Sequence, residues 1–178
     1  MEAGSHAATD GFWAYSLRVY ARPGVSAACL RLQDEADLDV NLLLFALYAS
    51  RIGRAIGVED WQRLDALVAP LREHLIQPLR SVRRWLKQQP PILLQPALGA
   101  TSELRPALAE LELQAERQVQ ALLEQALPSC VGPGAGTGAA TAPAANLDRY
   151  LQSRGVEPGA DQRTDLATLV RAAEHEAQ

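Results

Sequence analysis

Residues 42–49, LLLFALYA, are eight consecutive apolar side chains, preceded by Asp39 and Asn41. Wound into a helix at about 100° per residue, such a run leaves no side for water. It is also less than half of the roughly 20 residues that a membrane span needs. A helix that is apolar all round and too short for a bilayer has to be enclosed by the rest of its chain. Residues 40–50 are therefore predicted to be the central helix of a bundle. Asp39 is placed as its N-cap, where a carboxylate accepts from the free N–H groups of the first turn, and Asn41 falls within that turn. Gly53 and Gly57 mark the stop.

The rest of the chain supplies candidates for the cover. It is rich in Leu and Ala, 48% apolar and only 5% aromatic, which favours helix over sheet. The expected fold is all-α: a compact bundle of about five main helices over residues 10–127, a flexible linker over 128–145 and a short helical C-terminal tail over 146–178. Asp10 is placed to cap a first helix with Trp13, Leu17 and Tyr20 as its buried stripe. Pro23 opens a second helix with Val25, Cys29 and Leu32. From Glu59 a helical register runs for some thirty residues through Trp61, Leu64, Val68, Leu75, Val82 and Leu86. Pro70 and Pro78 interrupt it, so a kinked or segmented helix is expected. A stiff turn over 88–96 and a cap at Ser102 lead into a long helix carrying Leu104, Leu108, Leu111, Ala115 and Val119, which should pack against the preceding one as an antiparallel hairpin. Residues 128–145 are too low in complexity to build a core. The two tail helices have weak faces.

The formal net charge is −4, so the chain as a whole lacks the basic field of a dedicated nucleic-acid binder, and an electrostatic partner has to be read by a local patch. Cys29 and Cys130 are far apart, which speaks against a disulfide framework or a thiolate metal site and suits a reducing compartment. The first residues have neither the basic start nor the apolar core of a signal peptide, so a soluble cytoplasmic protein without membrane partners is expected. His6, His74 and His175 form no spacing from which a triad or a metal cluster follows. The linker's GPGAGTG lacks the lysine and helix of a phosphate cradle, and no cofactor is indicated.

Local charge is more informative. Arg80, Arg84 and Lys87 project within about 60° of one another on a helix, with Arg72 and Arg83 nearer the seam and Trp85 beside them. Such a face grips phosphate, RNA or an acidic peptide, or is neutralised by a neighbouring helix. The neighbour carries Glu112 and Glu116, one turn apart. Paired carboxylates hold metals or act as acid and base, but the Glu-x-x-His partner of di-iron bundles is absent: His74 follows Glu73 directly. Ion pairs with Arg72 or Arg83 are the expected use.

Three stretches, with YARPGV (20–25) and DVNLLL (39–44) the most specific, resemble a family of short proteobacterial proteins filed as domain of unknown function 2390. The resemblance spans residues 12–127 and implies a helical fold and a bacterial cytoplasmic origin. It implies no activity and no catalytic residues. Within it, Tyr20, Gln33, Asp39 and Asn41 are candidate linings of a small ligand pocket. The expected function is a non-catalytic protein-interaction or adaptor module that meets an unknown protein through Arg80, Arg83, Arg84, Trp85 and Lys87. The alternatives are an RNA- or ribosome-associated factor using the same basic face, and a ligand-binding protein or enzyme centred on Asp39, Asn41, Glu112 and Glu116.

Overall fold

The structure, a computed structural model, describes residues 11–88, 98–130 and 141–176, and of 98–103 the backbone alone. It is all-α, with no strand among the described residues. At its centre lies α3 (Val40–Arg51), in which every residue from Asn41 to Ala49 is buried. Asp39 is its N-cap, with Oδ1 accepting from the Asn41 N–H at 2.8 Å. At the other end Gly53 turns left-handed at φ +69°, a conformation that glycine adopts without a Cβ penalty. The Gly53 and Arg54 N–H groups close the helix on the carbonyls of Ser50 and Ala49.

Among the described residues α3 packs chiefly against five helices, α1 (Phe12–Tyr20), α2 (Val25–Ala36), α6 (Leu98–Ala126), α7 (Pro143–Arg154) and α8 (Ala160–His175). A relay of rings crosses the core, Phe12 to Phe45 at 5.1 Å, Phe45 to Trp61 at 6.1 Å and edge-on, and Trp61 to Tyr150 at 5.3 Å. Such contacts contribute beyond the area they bury. Trp61 stands on α4 (Val58–Leu71), which runs on through a π-helical segment, Arg72–Ile76, into α5 (Gln77–Gln88). With that continuous stretch counted once, the described residues hold five main helices before two C-terminal ones, as predicted.

Several stripes differ from expectation. On α1 the buried set is Phe12, Tyr15, Ser16 and Val19, whereas Leu17 is exposed and Trp13 and Tyr20 are half-buried. Two overlapping apolar stripes fit that sequence, and the one carrying Phe12 and Tyr15 stacks on α3. Asp10 lies outside the described residues; the Phe12 N–H donates to Glu124 of α6 at 3.0 Å. On the long helix Trp61, Leu64, Val68 and Leu86 are buried as expected, but Leu75 and Val82 are exposed. The π segment adds residues to a turn and rotates everything beyond it. It lies between Pro70 and Pro78, where the missing proline N–H groups already weaken the ladder. On α6 the helix begins at Leu98, so Ser102 sits inside it and not at its cap. There Leu111 is exposed while Glu112 and Gln120 are buried.

Helices α7 and α8 join the same core through Leu147, Tyr150, Leu151 and Leu169. Cys130, read as a loop residue, is buried in a short 3-10 helix, Leu127–Cys130, and both cysteines are free. The turn over 89–96 and most of the linker fall outside the described residues. The polar anchor of α7 is Asn146, which is fully buried. Its Oδ1 accepts from the Ile56 N–H at 3.0 Å, and its Nδ2 donates to Ser50 Oγ at 2.9 Å and to the Arg54 carbonyl at 2.8 Å. Together these bonds fix the α3–α4 connection against α7. Asn146→Ala would strand those groups at roughly 1–3 kcal/mol each, so a loss of about 2–4 kcal/mol is expected in chemical denaturation followed by tryptophan fluorescence. An unchanged midpoint would show that α7 is not integral to the core.

Candidate functional site

Polar groups collect where the apolar cover of α3 gives out, at its N-terminal end between α1, α2, α5 and α6. Arg80 is the hub. Its Nε donates to Glu112 Oε1 at 2.7 Å, its Nη1 to Gln33 Oε1 at 2.5 Å, and its Nη2 to Glu116. Arg83 donates to the other Glu112 oxygen at 2.7 Å, and Arg84 reaches Asp34 at 3.3 Å. The spacing explains the pattern: 80 and 84 on one helix, and 112 and 116 on its antiparallel neighbour, each bring two side chains to the same edge. Arg72, a predicted partner of these glutamates, pairs instead with Asp39 at 3.2 Å and Asp65 at 2.7 Å. Lys87 is exposed and makes no ion pair with a described residue, while Trp85 is exposed at the outer edge of α5.

The two glutamates sit in different electrostatic positions. Burial pushes Glu112 up, but hydrogen bonds from Arg83 and Arg80 outweigh it and hold the carboxyl below its ordinary value. For Glu116 burial prevails over Arg80, and the carboxyl lies above its ordinary value. Pairs split in this way can act as acid and base, but here both are engaged by arginine. Among the described residues no group of three His, Cys, Asp or Glu side chains is placed to hold a metal.

Two clefts flank Arg80. The first, about 330 Å³, is polar and is lined by Asp34, Asp37, Asp39, Arg72 and Arg84. The second, about 310 Å³, has apolar walls from Trp13, Leu17, Leu30 and Leu113. Of the predicted pocket residues, Gln33 and Asn41 line both clefts, Asp39 only the first and Tyr20 only the second. Beneath Asn41 lies a pair that the sequence reading missed: Ser16 Oγ donates to Gln120 Oε1 at 2.8 Å, and Gln120 Nε2 to Asn41 Oδ1 at 2.9 Å. A glutamine one turn beyond Glu116 on the apolar side of α6 was the available signal.

Asp39 also organises the first cleft. Besides capping α3 and binding Arg72, its backbone N–H donates to the Tyr150 hydroxyl at 3.0 Å. Asp65, its fellow ligand of Arg72, accepts from Arg154 at 2.7 Å, so α3, α4 and α7 meet here. Asp39→Ala should cost about 1–2 kcal/mol of stability, read in urea, most of it through the lost cap.

The shifts of the glutamates have opposite signs under titration. Glu112, held low, contributes stability that is present above its unfolded value and is lost as pH falls through its folded one. Glu116, held high, takes up its proton in the folded state first, and that uptake favours folding as pH falls toward its unfolded value. Carboxyl carbon NMR should therefore give Glu116 a midpoint above that of Glu112. Coincident midpoints would refute the assignment.

No curated protein matches this chain, and no solved structure does. The family described as "Protein of unknown function (DUF2390)" matches residues 11–123. That span runs from α1 through most of α6 and contains every lining residue of both clefts, while α7 and α8 lie beyond it. It is more than half of the chain, and the protein belongs to the DUF2390 family.

Proposed function

We propose that this is a bacterial cytoplasmic, non-catalytic interaction module that receives an amphipathic helix of another protein on the outer face of its α5–α6 hairpin. The observation that carries this reading is a set of five large apolar side chains left exposed there: Leu75, Val82 and Trp85 before and on α5, and Leu104 and Leu111 on α6. On α5, Val82 and Trp85 lie roughly a third to half a turn round from the cleft-lining Arg80 and Arg84. On α6, Leu104 and Leu111 lie similarly far from Leu113 and Glu116, so both sets belong to the side away from the clefts. Apolar side chains gathered on one face of a soluble bundle mark an interaction surface, and two antiparallel helices offer the groove in which a third helix lies. Lys87 and Arg105, which form no ion pair with described residues, border the hairpin end and suit a partner helix with acidic flanks.

The same ion pairs weigh against RNA. Arg80, Arg83 and Arg84, the core of the basic face, are already committed to Glu112, Glu116 and Asp34. Phosphate contacts would have to displace those carboxylates, which leaves Lys87, Arg105 and Arg117, the last stacked over Trp13, as the hairpin cations without an ion pair to a described residue.

Affinity capture from the cells of origin, at low and high salt and with and without nuclease, tests this. A protein partner that survives both treatments and is lost from Val82→Glu and Leu111→Glu is expected, since a charge in an apolar contact centre costs about 2 kcal/mol or more. An eluate dominated by nuclease-sensitive, salt-sensitive RNA would overturn the reading.

A further inference from the structure

We propose that the second cleft, between α1, α2, α5 and α6, binds a short acyl group, an apolar chain carrying a carbonyl or carboxylate head. Three leucines from three different helices, Leu17, Leu30 and Leu113, stand 48%, 45% and 42% exposed around its mouth. Exposed leucines converging on one cavity of about 310 Å³ make an apolar wall without an occupant.

The floor sets the chemistry of the head. Its acceptors are largely spent on the protein itself. Gln33 Oε1 takes Arg80, Asn41 Oδ1 takes Gln120, and both oxygens of Glu112 take arginines, leaving one oxygen of Glu116. Its donors are not spent. Asn41, only 5% exposed, has an Nδ2 with no acceptor among the described residues, and Gln33 Nε2 is in the same position. Arg80, which can only donate, holds the Gln33 oxygen and so fixes the Gln33 amide as a donor. Deeper in, the Ser16 hydroxyl lies between two acceptors, the Trp13 carbonyl at 2.9 Å and Gln120 Oε1 at 2.8 Å, and the Gln120 amide donates to Asn41 Oδ1. The Asn41 and Gln33 amides line the cleft, so the acceptor they lack in the protein has to come from solvent or from a ligand. Arg80, Arg83 and Arg84 balance Glu112, Glu116 and Asp34 in charge, so the cleft recognises a head by its acceptor atoms and has no need of a net charge.

The free acid and an amide-linked acyl group share this chemistry, and three probes of equal length separate them: hexanoate, hexanamide and hexylamine, titrated into the labelled full chain and followed by NMR. Saturable shifts of the Asn41 and Gln33 side-chain amides and of the Leu17 and Leu30 methyls are expected with the acyl probes and not with the amine. Hexanoate alone identifies a free carboxylate as the ligand; hexanamide binding as well identifies an amide-linked acyl group. Asn41→Asp, which replaces the free donor with an acceptor and keeps the shape, should weaken binding about tenfold. Leu30→Glu, at an exposed position, should do so without touching the core, and serves if Asn41→Asp fails to fold. The proposal is overturned by absent saturation with both acyl probes, by equal binding of hexylamine, by wild-type binding in Leu30→Glu, or by shifts centred on the apolar groove of Leu147, Leu166 and Val170 between α7 and α8. The cleft and the outer hairpin face lie on different sides of α5, so failure here leaves the partner-capture result to stand or fall by itself.

Discussion

Helix α3 has no wet side, and that one fact decides the architecture. Nine consecutive residues, Asn41 to Ala49, are shut off from water, and each direction around the helix is occupied by a different neighbour. The hydrophobic term is large enough to recruit even helices with poor amphipathic patterns: α7 and α8 contribute only a few leucines and Tyr150, yet these complete the enclosure. Where the enclosure ends, at the amino terminus of α3, its unpaired backbone donors need acceptors, and the polar side chains gather there. The two clefts are a consequence of that boundary between apolar cover and helix-terminal chemistry.

The charges at the boundary serve the fold before they serve any partner. Arg80 joins α2, α5 and α6 through Gln33, Glu112 and Glu116, and Arg72 joins α3 to α4. Half-buried pairs of this kind add little net stability compared with an apolar substitute, but removing one member leaves its partner desolvated and alone. Their effect is therefore to fix which residues face each other along the hairpin. Apolar contacts alone tolerate sliding there, because α5 buries little beyond Leu86.

Much of this was legible in the sequence. Residues 42–49 announced a central helix, Asp39 its cap, and Pro70 with Pro78 a disturbed helix between them. The pairing of Glu112 with Arg83 followed from spacing. What could not be read was rotation. On α1 the stripe through Trp13 and Leu17 scores as well as the one through Phe12 and Tyr15, and the choice belongs to α3, which stacks the rings. Within the π segment and beyond it the register turns by an amount that no periodicity count contains, which is how Leu75, inside the segment, and Val82, on α5, moved from supposed core to surface. Asn146 was silent because a buried asparagine declares itself only once the backbone groups it satisfies, on a segment ninety residues away, are in place. Tyr20, Gln33, Asp39 and Asn41 each line one cleft or both, but neither the Ser16–Gln120 relay that orients Asn41 nor the Arg80 bond that orients Gln33 could be read from spacing.

The enclosure of α3 also has a timetable. The helix is translated about a hundred residues ahead of α7 and α8, the last two parts of its cover. At the usual pace of a ribosome, that leaves one flank of an almost wholly apolar helix without its partners for roughly ten seconds. During that interval the polar anchors that define α7's seat, the Ile56 N–H and the Arg54 carbonyl, are solvated rather than paired. The nascent protein thus passes through a stage in which its stickiest segment already exists and its closing segment does not, a window in which a chaperone, or another nascent chain, competes with the protein's own carboxyl-terminal helices.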